Sequence, residues 1–140
     1  MKEYILNHDE IHCWVIDLDA HASKASQYLD LLNDAEKRRA DRFVFKEHKE
    51  RYIVTHGILN TLLSRYLNTS KFDLFFNKYG KPFIKNSFLN FNLSHSNRYA
   101  CIAFANFEVG VDIEYMKDEA IVESIFPKTK RIILKRLQNN

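Results

Sequence analysis

Residues 99–105 read YACIAFA and residues 109–114 read VGVDIE, and these two neighbouring runs decide the fold class. The first run is apolar on both faces of an extended chain, which predicts a central strand covered on both sides. The second run alternates, so its apolar odd-numbered residues point one way and Gly110, Asp112 and Glu114 point the other. The later part of the chain is therefore predicted to be β-structure.

Upstream of these strands, one further strand is followed by a helical pattern. Residues 11–18 (IHCWVIDL) are rich in β-branched and aromatic side chains and predict the strand. The strongest helical pattern spans residues 47–67, where apolar residues recur every three or four positions. Shorter helices are predicted over residues 25–32 and 35–45, the second with Asp34 as its N-cap. The fold class is therefore α+β: one strand, three helices, then antiparallel strands.

The composition is that of a folded domain. At 140 residues, with 46% hydrophobic and 14% aromatic residues, the chain can bury a core of its own. It contains no apolar run of about 18 residues and no signal-peptide pattern near Met1, so we expect no membrane span. Cys13 and Cys101 lie in strand-like runs and are predicted to be buried free thiols of a cytoplasmic protein.

The net charge of +3 conceals an uneven distribution. Residues 127–140 contain five basic and no acidic side chains, which leaves 16 basic and 18 acidic residues in the rest. The body of the protein is thus slightly acidic, which argues against nucleic-acid binding by the fold as a whole. We therefore predict a domain over residues 1–126 and an atypical basic tail over 127–140. One interpretation of the tail is a cationic amphipathic helix over residues 128–136 that binds an anionic surface.

Asp112 and Glu114 are the first candidates for chemistry. On one face of a strand their α-carbons lie roughly 6–7 Å apart, and a divalent cation relieves the repulsion between the two carboxylates. Mg²⁺ suits such a pair, because it takes one or two protein carboxylates and completes its shell with water and phosphate oxygens. Gly110 on the same face leaves room for a ligand. The alternative is the solvated polar face of an edge strand, which a D-x-E pattern alone does not exclude.

Residues 91–96 read FNLSHS and precede the central strand. Ser94 and Ser96 offer hydroxyls. His95 is able to pair with a phosphate, to act as an acid or base, or to be a satisfied histidine at a strand end. No acidic partner stands at the spacing of a nucleophilic triad, and the histidines and cysteines show no zinc pattern.

Basic residues form a third group. Arg39 and Arg42 belong to a run of cations in the second predicted helix, and Arg51 lies in the third. Lys81 stands in the turn YGKP at residues 79–82, where glycine and proline fix its direction. Arginine forks and a lysine point charge suit phosphates. The alternative for the helical residues is a solvated face that makes i,i+4 ion pairs.

Together, these groups resemble the surfactin-type 4′-phosphopantetheinyl transferases. The resemblance covers roughly residues 11–125 and rests on a series of motifs. They are an L-x-x-x-E-x-x-R-A-x-R-F-like segment at residues 32–43, Arg51, YGKP at residues 79–82, FNLSHS at residues 91–96 and GVDIE at residues 110–114. Each motif alone is weak, whereas their order and spacing together are specific. The fold implied is that of one phosphopantetheinyl transferase-like half-domain, the N-terminal half.

The resemblance implies a Mg²⁺-dependent transfer of 4′-phosphopantetheine from coenzyme A to a serine of an acyl or peptidyl carrier protein, with 3′,5′-ADP as the leaving group. It implies that Asp112 and Glu114 bind the metal. It also implies that Ser94 and His95 contact the 3′-phosphate of coenzyme A. Further contacts to phosphate or adenine are implied for four cationic residues: Lys81, Arg39, Arg42 and Arg51.

The resemblance also implies a second half. Surfactin-type members consist of two similar halves with coenzyme A between them. The second half brings a W-x-x-K-E-like helix, whose glutamate completes the metal site and serves as the base. Trp14 is the single tryptophan of this chain, and no such motif follows Glu114. Glu119 and Glu123 come too early to replace that glutamate, so the catalytic base is predicted to be absent from this chain.

Two explanations of the missing half remain open. In the shorter holo-carrier-protein synthases of the same superfamily, a half-sized chain forms symmetric trimers, although those chains carry their own glutamate and lysine motif. The other explanation is truncation at the basic tail. Permissible codons for residues 126–135, read one nucleotide out of register, can encode Phe-Ser-Gln-Asn-Glu-Lys, which resembles the family's usual continuation. The genomic DNA decides this hypothesis.

The leading function is therefore that of a phosphopantetheinyl transferase in a truncated form, whose activity alone is an open question. The alternative is a non-catalytic half-domain that binds coenzyme A or a carrier protein. A half-fold exposes an apolar face toward its missing counterpart, so we also expect self-association.

Overall fold

The structure, a computed structural model, describes residues 2–116, 119–125 and 131–136. Eight strands, three α-helices and one 3₁₀ helix are formed by these residues. In chain order they are β1 (Glu10–Asp17), the 3₁₀ helix (Asp19–Lys24), α1 (Ala25–Leu29), α2 (Asp34–Ala40), α3 (Lys46–Leu67), β2 (Phe75–Phe76), β3 (Pro82–Phe83), β4 (Asn90–Ser96), β5 (Tyr99–Ala105), β6 (Gly110–Met116), β7 (Glu119–Ile125) and β8 (Arg131–Arg136).

The main sheet has the strand order β4-β5-β1-β8, and β2–β3 and β6–β7 form separate two-stranded pairs. All pairs are antiparallel except β1 with β8, which run parallel. The predicted α+β order of one strand, three helices and antiparallel strands is confirmed, whereas the parallel β8 was not predicted. Residues 131–136 form a strand, so the prediction of a helix there is wrong. Residues 126–130 and 137–140 of the basic tail lie outside the described residues.

The central strand β5 is buried on both faces, as its sequence predicts. Its even-numbered residues join the larger core, where the sheet packs against α3 through Ile58, Leu62 and Tyr66. Its odd-numbered residues join a second core, where Val111 and Ile113 of β6 cover the opposite face. The sheet is thus the middle of three layers, with helices on one side and the β6–β7 hairpin on the other.

Helix α2 differs from its prediction at both ends. Asn33, not Asp34, is the N-cap: its side chain accepts the Glu36 N–H at 2.8 Å, and the Glu36 carboxylate accepts the Asn33 N–H at 3.0 Å. This reciprocal pair is a capping box. The helix ends at Ala40 rather than at residue 45, because the Arg42 and Phe43 N–H groups donate to carbonyls three residues back and tighten the last turn.

Helix α3 closely matches its prediction and contacts α1 at Gly57. A β-carbon built on Gly57 meets the β-carbon of Tyr28 at 2.4 Å and its ring at 2.5 Å. Glycine in a helix interior costs about 1 kcal/mol relative to alanine. Glycine is required at this position because the two helices approach too closely for any side chain.

We expect Gly57→Ala to lower the free energy of unfolding by about 1–3 kcal/mol, since overpacking outweighs the gain in helix propensity. Urea unfolding monitored by circular dichroism measures the change. Gly110→Ala is the matched control, because no atom of the described chain lies within 4 Å of a β-carbon built there. An unfolding midpoint for Gly57→Ala at or above that of the wild type contradicts the packing argument.

Both cysteines are free and buried, as predicted. Contact with Cys13 and burial raise the pKa of the Cys101 thiol, which keeps that thiol protonated. Among the described residues, no helix combines the length and the apolar character that a membrane crossing requires.

Candidate functional site

A cleft of about 460 Å³ opens between the first half of α3, the turn before β3 and the end of β4. The chain segments that meet there are far apart in sequence, and each contributes polar and aromatic side chains. Its lining residues from the helical part are Leu18, Phe43, His48, Arg51, Tyr52, Thr55 and His56, and from the sheet part Gly80, Pro82, Leu93, His95 and Asn97. The predicted site residues Arg51 and His95 therefore line one cavity, together with the YGKP turn.

Sequence reasoning missed four cleft residues on α3. They stand beside Arg51 on one stripe of the helix: His48, Tyr52, Thr55 and His56. Their spacing of three and four residues is the signal that identifies such a stripe. The apolar stripe farther along α3 faces the core, and this more polar stripe faces the cleft.

Arg51 is held in place by two carboxylates. Its guanidinium donates to both oxygens of Asp19, at 3.0 and 3.2 Å, and contacts Glu47 at 2.7 Å. The hydrogen bond from Arg51 lowers the pKa of Asp19, so this pair contributes to stability above the ordinary carboxyl pKa. The contribution is lost as the pH falls through the lowered pKa. At neutral pH the arginine is oriented, and an anionic ligand has to share it with these carboxylates.

Asp19 is in turn connected to β1 through Arg98. The Arg98 guanidinium makes a bidentate pair with Asp17, at 2.7 and 2.8 Å, and lies 3.9 Å from Asp19. The network of Asp17, Arg98, Asp19 and Arg51 therefore ties the end of β1 to α3 beside the cleft. Bidentate arginine–carboxylate pairs fix direction as well as distance, which makes this wall of the cleft well defined.

Tyr52 gives the cleft an aromatic wall. Its ring stacks on His56, with centroids 4.1 Å apart, and contacts Phe43 at 5.4 Å. Burial, followed by the nearby Glu36 charge, raises the pKa of Tyr52, and its hydroxyl is buried without a hydrogen-bond partner. Aromatic faces beside cationic and hydroxyl groups suit a planar heterocycle that carries phosphates.

The YGKP turn is closed by Asn77, which sequence reasoning also missed. The Asn77 side chain accepts the N–H groups of Tyr79 and Lys81, both at 2.9 Å. The Asn77 backbone adds hydrogen bonds to Gly80 and Lys81, and Gly80 has a φ of +83° that favours glycine. Lys81 is exposed on this rigid turn, between two residues that line the cleft.

The predicted cations of α2 lie in different surroundings. The Arg39 guanidinium stacks over the Phe76 ring at 4.3 Å and lies beside Gly80, 3.0 Å from a β-carbon built there. Arg39 is therefore next to the YGKP turn. Arg42 is exposed and is not among the residues that line the cleft.

Strand β4 presents its two faces to different sites. Phe91, Leu93 and His95 face the helical side, where Phe91 is in the core and the other two line the cleft. Ser94 faces the opposite side, where its hydroxyl donates to Asp112 Oδ1 at 3.1 Å. The side chains of Ser94 and His95 therefore lie on opposite faces of β4, because successive residues of a strand alternate between faces.

Asp112 and Glu114 are both exposed on β6, while the alternate residues Val111 and Ile113 are buried. The predicted alternation is confirmed. The space beside Gly110 is open, so packing within the described chain does not explain the glycine. Two exposed carboxylates on one face are the hard oxygen donors that Mg²⁺ takes, so the pair fits this ion.

Among the residues whose side chains the structure describes, no third ligand of this kind is found nearby. No group of three or more histidine, cysteine, aspartate or glutamate residues able to hold a metal occurs in the part of the chain that the structure describes. The β6–β7 register places the backbone of Glu123 opposite Asp112. The side chains of Glu119 and Glu123 lie outside the described residues.

The sequence is similar to those of known proteins. Residues 18–106 match the family described as 4′-phosphopantetheinyl transferase, N-terminal. The chain is 36% identical over 137 residues to 4′-phosphopantetheinyl transferase HetI of Nostoc sp., which covers 91% of this chain and 56% of that protein. It is 29% identical over 109 residues to 4′-phosphopantetheinyl transferase Sfp of Bacillus subtilis (strain 168), covering 74% and 49%. A third relative is the L-aminoadipate-semialdehyde dehydrogenase-phosphopantetheinyl transferase of Candida glabrata, 32% identical over 123 residues, covering 76% and 45%.

The chain thus spans about half the length of the curated relatives that it matches. The family match covers the 3₁₀ helix, all three α-helices and strands β2 to β5, and the residues that line the cleft lie within it. On this match, the chain belongs to the 4′-phosphopantetheinyl transferase family, in which it corresponds to the N-terminal domain.

Proposed function

We propose that the chain carries the N-terminal part of a site that transfers 4′-phosphopantetheine from coenzyme A to a serine of an acyl or peptidyl carrier protein. The observation that supports this best is the placement of two sites on either face of β4. His95 lines the cleft on one face, and Ser94 contacts the metal candidate Asp112 on the other. Because β4 is the edge strand of the main sheet, a ligand with a nucleotide at one end and a pyrophosphate nearby can reach both sites around that edge.

The cleft is the proposed site for the nucleotide end of coenzyme A. Arg51 supplies an oriented guanidinium, and His95 adds a ring nitrogen at the opposite wall. Tyr52 offers an aromatic face. Lys81 and Arg39 flank the turn and are proposed to neutralise further phosphate charge, with Arg42 on the exposed end of α2 as a more distant contributor.

Asp112 and Glu114 are the proposed ligands of Mg²⁺. When bound, the ion supplies positive charge that neutralises the pyrophosphate and polarises the phosphorus under attack. The two carboxylates hold this charge at the exposed face of β6, next to β4. For Ser94 we propose, besides the contact to the 3′-phosphate, a role at this metal end, because its hydroxyl is bound to Asp112.

The general base is not assigned to any residue of this chain. The chain spans about half the length of its relatives, and we propose that a third carboxylate and the base come from a segment equivalent to the part of them that this chain does not match. The alternative function is a non-catalytic half-domain that binds coenzyme A or a carrier protein. Self-association and a cytoplasmic location belong to the same proposal, and sedimentation velocity tests the first of them.

A transfer assay separates the two functions. The chain is incubated with coenzyme A, Mg²⁺ and an apo carrier protein, and the carrier is weighed by mass spectrometry. A mass gain of one phosphopantetheine group supports the transferase. Coenzyme A binding in calorimetry without any transfer supports the binding half-domain, and the absence of both refutes the proposal.

Arg51→Ala is expected to weaken coenzyme A binding about 10- to 100-fold, the effect of one charge-assisted contact. Arg51→Lys retains the charge without the planar fork, so its affinity for coenzyme A is expected to lie between those of the wild type and Arg51→Ala. Isothermal titration calorimetry measures the affinities. Arg38→Ala is the matched control, because it removes an exposed cation of α2 that does not line the cleft. Equal losses for Arg51→Ala and Arg38→Ala contradict the assignment of the cleft.

A further inference from the structure

Strand β6 is attached to β4 through side chains instead of a backbone ladder. The Val111 N–H donates to Asn92 Oδ1 at 3.0 Å, and the Ile113 N–H donates to Ser94 Oγ at 3.3 Å. The Tyr115 N–H donates to Ser96 Oγ at 3.1 Å. Both strands advance by two residues at each step, so the three hydrogen bonds form a regular series, which we call the side-chain ladder.

The ladder satisfies backbone donors that the β6–β7 pairing does not use. Val111 and Ile113 are buried in the second core, where an N–H without an acceptor is unfavourable. A hydroxyl or amide oxygen on every second residue of β4 meets this need. The alternation of polar and apolar residues in FNLSHS is therefore explained by the neighbouring strand as well as by the cleft.

Among the described contacts, Ser94 is the one residue of the ladder that makes a second side-chain hydrogen bond. Its oxygen accepts the Ile113 N–H, and its hydroxyl hydrogen donates to Asp112 Oδ1 at 3.1 Å. The hydroxyl thus both donates and accepts a hydrogen bond, which fixes its rotation. One oxygen of the exposed Asp112 carboxylate is held, and the other is left for a further partner.

We propose that Ser94 is a positioning residue for Asp112, and that the side-chain ladder fixes the carboxylate face of β6 against β4. The part that concerns the metal rests on the proposed function, whereas the ladder itself does not. Groups that hold a metal ligand in place contribute to affinity without touching the metal. The ladder adds the register of the whole strand, and therefore the position of Glu114 as well.

The test uses the full chain and two readouts. Backbone amide hydrogen exchange, measured by NMR, reports the ladder. Mn²⁺ binding, measured by electron paramagnetic resonance without coenzyme A, reports the carboxylates. Ser94→Ala is expected to speed exchange at Ile113 up to about tenfold and to weaken Mn²⁺ binding about 10- to 100-fold. Ser94→Thr retains the hydroxyl and is expected to restore both values to within about threefold of the wild type.

Ser96→Ala is the matched control within the ladder. It is expected to speed exchange at Tyr115 and to leave Mn²⁺ affinity within about threefold of the wild type, because the described contact of the Ser96 hydroxyl is to the Tyr115 N–H and not to a carboxylate. A general loosening of β6 lowers Mn²⁺ affinity equally in Ser94→Ala and Ser96→Ala, and that result overturns the positioning role. Unchanged exchange at Ile113 in Ser94→Ala overturns the ladder.

Failure of the proposed function gives a different pattern. If the wild-type chain binds no Mn²⁺, or if Asp112→Asn binds it as well as the wild type, the metal assignment and the positioning role are both refuted. The exchange rates at Ile113 and Tyr115 still decide the ladder in that case, since they are measured without any ligand.

Discussion

Glu36→Ala is expected to lower the free energy of unfolding by about 3–5 kcal/mol, because it removes a buried side chain together with the hydrogen bonds that it makes to buried groups. Glu36 is fully buried at the contact between α2 and α3. Its carboxylate contacts His56 Nδ1 at 2.7 Å and accepts the Asn60 amide at 3.0 Å. It also accepts the Asn33 N–H of the capping box. Alanine leaves the buried His56 and Asn60 without this partner, although the Asn60 amide keeps its hydrogen bond to the Leu31 carbonyl.

Urea unfolding measures this loss, and two variants define its cause. Glu36→Gln preserves the volume and an acceptor oxygen, so we expect a smaller loss than for alanine. Asp34→Ala removes an exposed acid from the first turn of the same helix and is expected to cost less than about 1 kcal/mol. A Glu36→Ala midpoint equal to that of Asp34→Ala contradicts the structural role of the buried carboxylate.

Asp112→Asn is expected to abolish most Mg²⁺-dependent coenzyme A binding, with a loss of at least about 100-fold. Replacing a residue that only supports a metal ligand costs about 10- to 100-fold, and the ligand itself is expected to matter at least as much. The stability should change little, because Asp112 is exposed. The asparagine also remains able to accept the Ser94 hydroxyl, which separates loss of the metal from loss of the ladder.

Calorimetric titration of coenzyme A, with and without Mg²⁺, measures this effect. Glu108→Gln is the matched control, since Glu108 is an exposed acid just before β6. We expect binding to Asp112→Asn to be the same with and without Mg²⁺, and binding to Glu108→Gln to retain the full response. A full Mg²⁺ response in Asp112→Asn refutes the assignment of Asp112 as a ligand.

Local patterns were sufficient to predict most of the fold. The alternation at residues 109–114 and the apolar run Tyr99–Ala105 each reflect burial that is repeated at every position, so β6 and β5 were predicted with the correct exposed and buried faces. Helix α3 was predicted for the same reason. The end of α2 was not, because residues 41–45 have no strong preference and the last turn is decided by hydrogen bonds back to residues 39 and 40.

The candidate site was predictable in parts and not as an assembly. Asn33 and Glu36 have the spacing of a capping box, and the opposite faces of Ser94 and His95 follow from alternation, so both could have been read from the sequence. The bond between Arg51 and Asp19 joins residues 32 positions apart, and no local pattern contains it. Asn77 is similar, since its closing of the turn depends on the backbone path of the next four residues.

The two-sided character of β4 has an evolutionary consequence. A substitution at residues 91–96 affects one site at a time, since the faces are separated residue by residue. Deletion or insertion of a single residue would exchange the faces, because the side-chain period of a strand is two. Serines would then enter the cleft, and the histidine would be turned toward the carboxylates. Evolution of this segment is therefore expected to proceed by substitution of residues and not by insertion or deletion.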